Sequence, residues 1–317
     1  MTNSPPAVIQ VQDTVSHAKA SPLILAANAT SEDAFSAIIS ACLSHATANQ
    51  PAVLAGQSEG VHQMRVAFRR LRSGLKLFRR LIPRTASTGW VTEIRWLNSA
   101  LGPARDWDVF LEGGLGPLLA RFPHKRSLRL FRATAERVRQ AHYGALRAAL
   151  ADPRYPQLLS GLATWLEQCA WRAALDAAQR HALTKPVLAF ATPHLDRAQR
   201  RVIQPGERFV TLDAAQRHAL RIRIKELRYA LDFFASLYAA PTVKSYLGAL
   251  SQLQDHLGLL NDAVVASRLL DEARLATAAA ARQVLDGWYG YRLYSQERAF
   301  NDLWQNFSAC ARPWRGD

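Results

Sequence analysis

His62-Gln63-Met64-Arg65-Val66-Ala67-Phe68-Arg69-Arg70-Leu71-Arg72 returns later in the chain as His218-Ala219-Leu220-Arg221-Ile222-Arg223-Ile224-Lys225-Glu226-Leu227-Arg228. Both read H-x-x-R-x-x-x-[R/K]-x-x-R, at an offset of 156 residues. The offset persists without a gap: Leu75, Phe78, Leu97, Leu101, Gly102, Asp106 and Val109 match Leu231, Phe234, Leu253, Leu257, Gly258, Asp262 and Val265. On an α-helix, His62, Arg65, Arg69, Arg72 and Lys76 fall within an arc of about 80°. Met64, Phe68, Leu71, Leu75 and Phe78 form a second arc roughly 120° away, and Leu220, Ile224, Leu227, Leu231 and Phe234 repeat it. Each helix thus has one face for a core and a flanking face for positive charge.

A charge run is ordinarily a solvated surface. Two features argue for a use here. The run is duplicated, and residues 61–84 hold eight Arg or Lys and no acid. Like charges at i, i+4 work against a helix, so a shared anionic ligand between the two helices is the better account. The whole chain has 317 residues and a formal net charge of +15. Residues 61–317 alone carry 39 basic and 21 acidic side chains. Such a field attracts polyanions: nucleic acid, polyphosphate or an anionic membrane. Arg outnumbers Lys, which suits bidentate contacts to phosphate oxygens.

Cys42, Cys169 and Cys310 are far apart and odd in number, which points to buried free thiols in a reducing cytosol. No basic start followed by an apolar run marks a signal peptide. No apolar stretch approaches the roughly 20 residues that span a bilayer. A cytoplasmic protein is the expectation.

Residues 1–30 are low in charge and rich in Ala, Ser, Pro and Val, and read as a flexible arm. The rest reads as all-α, since apolar spacing follows 3, 4 and 7 and no period-2 strand stands out. Helices are expected at 31–50, 58–82, 88–101, 104–120 and 124–150, with one or two in 154–180. Others come at 186–203, 214–239, 242–257, 260–275 and 278–308. Thr30 or Ser31 and Asp213 are N-caps, Pro83 and Pro241 are stops, and Gly102-Pro103 is a break. The pseudo-repeats run from about 31–152 and 186–308, joined by 153–185, with a tail at 309–317. Trp90, Trp96, Trp107, Trp165, Trp171, Trp288 and Trp304 sit in apolar patterns and are assigned to the core.

A second repeated motif pairs Leu101-Gly102-Pro103-Ala104-Arg105-Asp106 with Leu257-Gly258-Leu259-Leu260-Asn261-Asp262. It reads as a cap and turn that place Asp106 and Asp262 in the first turn of a new helix. Alternatively, each Asp orients an Arg or His of the cationic face, and Arg105 adds a phosphate contact. The chain has no G-x-x-x-x-G-K-[ST], H-E-x-x-H or G-x-S-x-G, and no cofactor is expected. A metal site would need ligands from distant segments, such as His256, Asp106 and Asp262 beside His62 or His218. Beside several Arg, a histidine stays neutral until a phosphate favours its charged form.

The segments H-x-x-R-V-x-x-R-R-L-R-S-x-L-x-x-F and L-G-x-x-R-D, then H-A-L-R-I-x-x-K-E-L-R-Y-x-L-D-F-F and L-G-x-x-N-D, resemble the CHAD family, the conserved-histidine α-helical domain. The likeness spans roughly residues 31–308. It implies two pseudo-symmetric antiparallel helical bundles around a basic central cavity. It also implies binding of inorganic polyphosphate and, in family members, association with polyphosphate or polyhydroxyalkanoate granules. Carried over, His62, Arg65, Arg69, Arg72 and Lys76 form the first binding set, and His218, Arg221, Lys225 and Arg228 the second. Lys76 meets Asp232 across the offset, which leaves the second set less positive. No E-x-E-x-K marks the triphosphate tunnel domain that precedes this module in relatives. The reading is a polyphosphate-binding module without catalytic activity. A nucleic-acid-binding protein and a metal-dependent phosphate-handling enzyme are the alternatives.

Overall fold

The computed structural model describes residues 16–273 and 278–316, with the side chains at 260, 261, 278–280 and 293–298 left undescribed. Its described residues are all-α, apart from one isolated bridge between Thr30 and Pro186. In chain order the helices are α1 Ser31–Ala48, α2 Gln50–Leu54, α3 Ser58–Leu77, α4 Thr88–Val109, α5 Gly116–Arg121 and α6 Arg126–Ala151. They continue as α7 Arg154–Glu167, α8 Ala177–Leu183, α9 Val187–Gly206, α10 Ala214–Phe233, α11 Ala240–Glu272 and α12 Ala278–Ser308. Moving α3 by 156 residues reproduces the limits of α10, and moving α1 starts it where α9 starts.

Local sequence sets several helix starts. Leu175-Asp176-Ala177-Ala178-Gln179-Arg180-His181-Ala182-Leu183 recurs identically at 212–220. Both copies form the same cap: the Asp side chain accepts from the Gln backbone N–H, and the Gln side chain accepts from the Asp N–H. In both, the arginine reaches back to the leucine carbonyl, Arg180 at 2.9 Å and Arg217 at 3.0 Å. Yet α8 has 7 residues and α10 has 20. The shared cap starts each helix, and the downstream residues set its length: α8 soon meets Pro186, whereas α10 continues on an apolar stripe.

Both apolar arcs are core. Met64, Phe68, Leu71, Leu75 and Phe78 are buried, as are Leu220, Ile224, Leu227, Leu231 and Phe234. The main core draws on both halves of the chain. At its middle, Phe78 stacks on Phe190 at 4.7 Å and meets its counterpart Phe234 edge-on at 6.4 Å. A smaller second core joins Trp107, Phe110, Leu128 and Phe131 to Leu269, Leu270 and Leu285, again across the halves. Long helices double back on one another. Asp108 of α4 binds Arg139 (2.6 Å) and Tyr143 (2.8 Å) of α6, while Phe300 of α12 packs on His256 of α11.

Some expected boundaries are corrected. Gly102-Pro103 does not break a helix. α4 runs through it to Val109, continues as a π-helical turn at Phe110–Leu115 and leads into α5. α11 is likewise one helix, not two. Pro103 removes one ladder hydrogen bond, but Leu97, Leu101, Ala104 and Trp107 around it are fully buried, and that packing keeps the segment helical. Pro241 opens α11 instead of closing α10, since its missing N–H costs nothing in a first turn. Among the tryptophans, Trp107, Trp165 and Trp171 are buried, while Trp90, Trp96, Trp288 and Trp304 pack partly buried against the cores. Only Cys42 of the three thiols is buried, and burial pushes it up to about 11.

Residues 1–15 of the expected flexible arm lie outside the described residues. Residues 18–30 are tied down. Ala18 exchanges hydrogen bonds with Asn49, Leu25 donates to Ser236 Oγ at 2.9 Å, and Val187 donates to the Ala29 carbonyl at 2.9 Å. The tail is docked too: Trp314 is buried and donates to Asp196 Oδ1 at 2.9 Å, beside the Arg315–Asp196 ion pair.

Because one core joins both halves, the protein is expected to unfold as one unit. Phe78→Ala should cost about 3–5 kcal/mol and lower a single calorimetric transition. A second transition that stays at the original temperature would show the halves to be independent.

Candidate functional site

α3 and α10 touch in an antiparallel crossing, because Arg70 pairs with Asp232 and Lys76 with Glu226. Under the 156-residue offset, position 70 corresponds to 226 and position 76 to 232. The two ion pairs are therefore the same contact made twice, with α3 supplying both cations and α10 both anions. Arg69 Nε donates to Tyr229 Oη at 2.7 Å near the crossing, and Arg70 lies 4.9 Å from the Phe233 ring centroid.

Beside this crossing lies a cleft of about 1030 Å³. α3 contributes His62, Arg65, Arg69, Arg72 and Lys76 to its walls, and α10 contributes His218, Arg221 and Lys225. Arg105, Asp106 and Asp262 line it as well. Asp232, expected to dilute charge in the second binding set, is instead engaged by Arg70 and does not line the cleft. Of the binding residues singled out from the sequence, Arg228 alone falls outside it. Its guanidinium lies 5.3 Å from the Tyr229 ring centroid. Arg79, Arg84, Arg95, Glu226, Tyr229 and Tyr289 also line the cleft and were not anticipated as site residues. The helical arc of α3 already extends toward Arg79, but Arg84, Arg95 and Tyr289 come from other segments that only the fold brings near. Among the described residues, the walls hold ten Arg or Lys (65, 69, 72, 76, 79, 84, 95, 105, 221, 225) against three carboxylates (106, 226, 262).

The glycines of the second motif explain how α4 and α11 approach the cationic helices. A Cβ on Gly102 would lie 2.7 Å from Arg65 Nη1, and one on Gly258 would lie 3.9 Å from Arg221 Nη2. Gly102 leaves room for Arg65, whereas a Cβ at Gly258 would meet Arg221 at ordinary contact distance, and neither glycine terminates a helix. Asp106 and Asp262 then sit in helix interiors, not in a first turn. Asp106 pairs with Arg65 at 3.7 Å and Arg268 at 2.8 Å. Burial raises the carboxyl groups of both aspartates above the ordinary range, opposed by Arg65 and Arg268 at one and by Arg221 and Arg292 at the other.

Crowding and burial work against positive charge throughout the cleft. Burial and the neighbouring Arg69, Arg221, Arg65 and Arg228 push Lys225 down to about 7. Burial, and after it Arg105, lowers His62. Arg65 and Arg221 are lowered by burial and by other arginines, despite Asp106 and Asp262. Arg105 Nε and Nη1 and Arg221 Nε are buried and have no acceptor, a costly state for a charged donor. Each of these features would be relieved by an anion.

Tyr229 is buried beneath Arg69, Arg70 and Arg228, so its ring is already covered. His256, a candidate metal ligand, is buried in the core against Phe300 and does not line the cleft. Among the described residues no group of three or more His, Cys, Asp or Glu is placed to hold a metal ion. No described helix is long and apolar enough to cross a membrane.

The crystal structure of the CHAD domain from the plant Ricinus communis matches with a TM-score of 0.82 and 33% sequence identity, covering 94% of this chain and 98% of that one. PptA from Streptomyces chartreusis shares the fold, with a TM-score of 0.63 at 17% identity, covering 87% of this chain and 100% of that one. No curated protein matches the chain. The model of the CHAD domain matches residues 37–271, most of the chain and both His/Arg helices, and the protein belongs to the CHAD domain family.

Proposed function

We propose that the chain is an internal duplication whose two His/Arg/Lys helices bind inorganic polyphosphate between them, in a basic central cavity. His62, Arg65, Arg69, Arg72 and Lys76 act from α3, and His218, Arg221 and Lys225 from α10. Arg228 supports Tyr229, Arg105 adds a donor, and Asp106 and Asp262 orient Arg65 and Arg221. The role is binding without catalysis, in the cytoplasm, with recruitment to polyphosphate or other storage granules as its cellular use. One observation carries the reading: ten cations meet three carboxylates in one cleft, with buried guanidinium donors that no protein acceptor satisfies. A linear polymer of closely spaced phosphates offers acceptors to both helices at once. Nucleic acid is disfavoured because single-strand binding relies on open aromatic platforms, and Tyr229 is already covered by arginines.

Titration calorimetry with long-chain polyphosphate tests this directly. Affinity should fall log-linearly with salt. Arg65→Ala with Arg221→Ala should weaken binding about a hundredfold or more. Arg129→Ala with Arg147→Ala removes the same charge from exposed positions of α6 and should cost about threefold or less. Equal losses would reduce the mechanism to net charge, and tighter binding of single-stranded RNA would favour the nucleic-acid reading.

Gly102→Ala separates binding from stability. Alanine favours a helix interior by about 0.5–1 kcal/mol over glycine, so the melting temperature should hold or rise. Affinity should nonetheless fall about three- to tenfold, because the new methyl displaces the Arg65 guanidinium. Gly258→Ala, with its ordinary van der Waals clearance, should bind as the parent does. If the two variants behave alike, the glycine has no part in placing Arg65.

The pH dependence has two windows. A bound polyanion raises the pKa of Lys225 above its free value of about 7. Binding then takes up a proton above pH 7, and affinity falls as pH rises from about 7 to 9. Lys225→Gln should flatten that limb. His62 begins below its ordinary value, so its protonation strengthens binding as pH falls below about 6.5. His62→Gln should flatten this lower limb only. If both limbs survive both variants, other groups carry the linkage.

A further inference from the structure

A second cavity, of about 270 Å³, opens between the C-terminal end of α3, α9 and α10. Arg79 and Arg80 face it from one side and His194, Arg197 and Arg201 from α9, with Glu226 as the only carboxylate in its wall among the described residues. It shares Ser73, Lys76, Arg79 and Glu226 with the central cleft. The Lys76–Glu226 ion pair therefore stands between the two spaces, and Arg201 lies 3.8 Å from the same carboxylate. The acid next to Arg197 in sequence, Asp196, is already engaged by Trp314 and Arg315. Burial, then Arg197, Arg80, Arg79 and Arg201, push His194 down to about 4, so its ring is neutral near pH 7 and keeps one N–H to donate.

This cavity is not a product of the repeat. Under the 156-residue offset, His194, Arg197 and Arg201 correspond to Ile38, Ala41 and His45 of α1, and Arg79 and Arg80 correspond to Ala235 and Ser236. Ile38 and His45 are buried. Only one of the two related positions carries the arginines, although like charges clustered this closely oppose folding.

We propose that this cavity is a second anion subsite, which extends the central cleft past the Lys76–Glu226 pair and holds the leading phosphates of a condensed phosphate chain. It rests on the polyphosphate-binding role proposed for the cleft and adds selection by length. A chain that passes the ion pair gains contacts with Arg80 and Arg197, and a shorter one does not.

Tripolyphosphate and long-chain polyphosphate, titrated against the parent protein and Arg80→Ala/Arg197→Ala, decide it. The variant should bind the long chain about tenfold more weakly, with the slope of log affinity against log salt shallower by roughly one to two. Tripolyphosphate affinity should stay within about twofold of the parent, since the central contacts remain. Arg80→Gln/Arg197→Gln, with unchanged circular dichroism, guards against misfolding and should reproduce the result. Unchanged long-chain binding, or equal losses for both ligands, would overturn the second subsite while leaving the central cleft standing. Failure of the parent protein to bind either phosphate would remove both readings.

Discussion

Crowding of half-buried cations is the constraint around which this molecule is built. Burial first, and then the neighbouring Arg69, Arg221 and Arg65, push Lys225 down to about 7. Apart from the Lys76–Glu226 and Arg65–Asp106 pairs and the Arg69–Tyr229 hydrogen bond, that face works against folding. What holds it in place lies behind it, in the fully buried Phe68, Leu71, Ile224 and Leu227 one helical face away. Hydrophobic burial is non-directional and insensitive to charge. It can therefore sustain an arrangement that electrostatics alone would disperse, and the protein keeps the unfavourable charges ready for a counter-ion.

The carboxylates show where the structure compensates and where it does not. Asp108 is fully buried, yet Arg139 and Tyr143 satisfy it. Asp106 balances Arg65 and Arg268 at the wall of the cleft. Arg105 receives no such partner for its buried Nε and Nη1. Where helices are tied together the charges are matched, and in the cleft they are left in excess. Lys76 and Arg65 belong to both groups, each paired with a carboxylate at the wall of the cleft.

Much of this was legible in the residues themselves. The two arcs of α3 and α10 arise from helical periodicity, and the absence of acids in residues 61–84 marked the cationic face as unusual. The offset also identified Phe78 and Phe234 as counterparts, and they meet in the core. Gly102-Pro103 was misread because turn preference is a local property, whereas the glycine answers to an arginine 37 positions away in sequence. Arg228 lies on the correct arc by angle, but the Tyr229 ring draws it aside. Arg84, Arg95 and Tyr289 could not be found by periodicity, since their proximity depends on how separate elements pack. Asp232 looked like a loss of charge from the site. Its partner, Arg70, is visible only once the helices cross.

The crossing itself sets which helices can pair. In the present chain α3 contributes Arg70 and Lys76, and α10 contributes Glu226 and Asp232, to a contact that is otherwise symmetric. A homodimer of the first half would set Arg70 of one subunit against Lys76 of the other at both contacts. A homodimer of the second half would oppose Glu226 to Asp232. Charge at this crossing therefore favours pairing α3 with α10 over pairing either helix with a copy of itself.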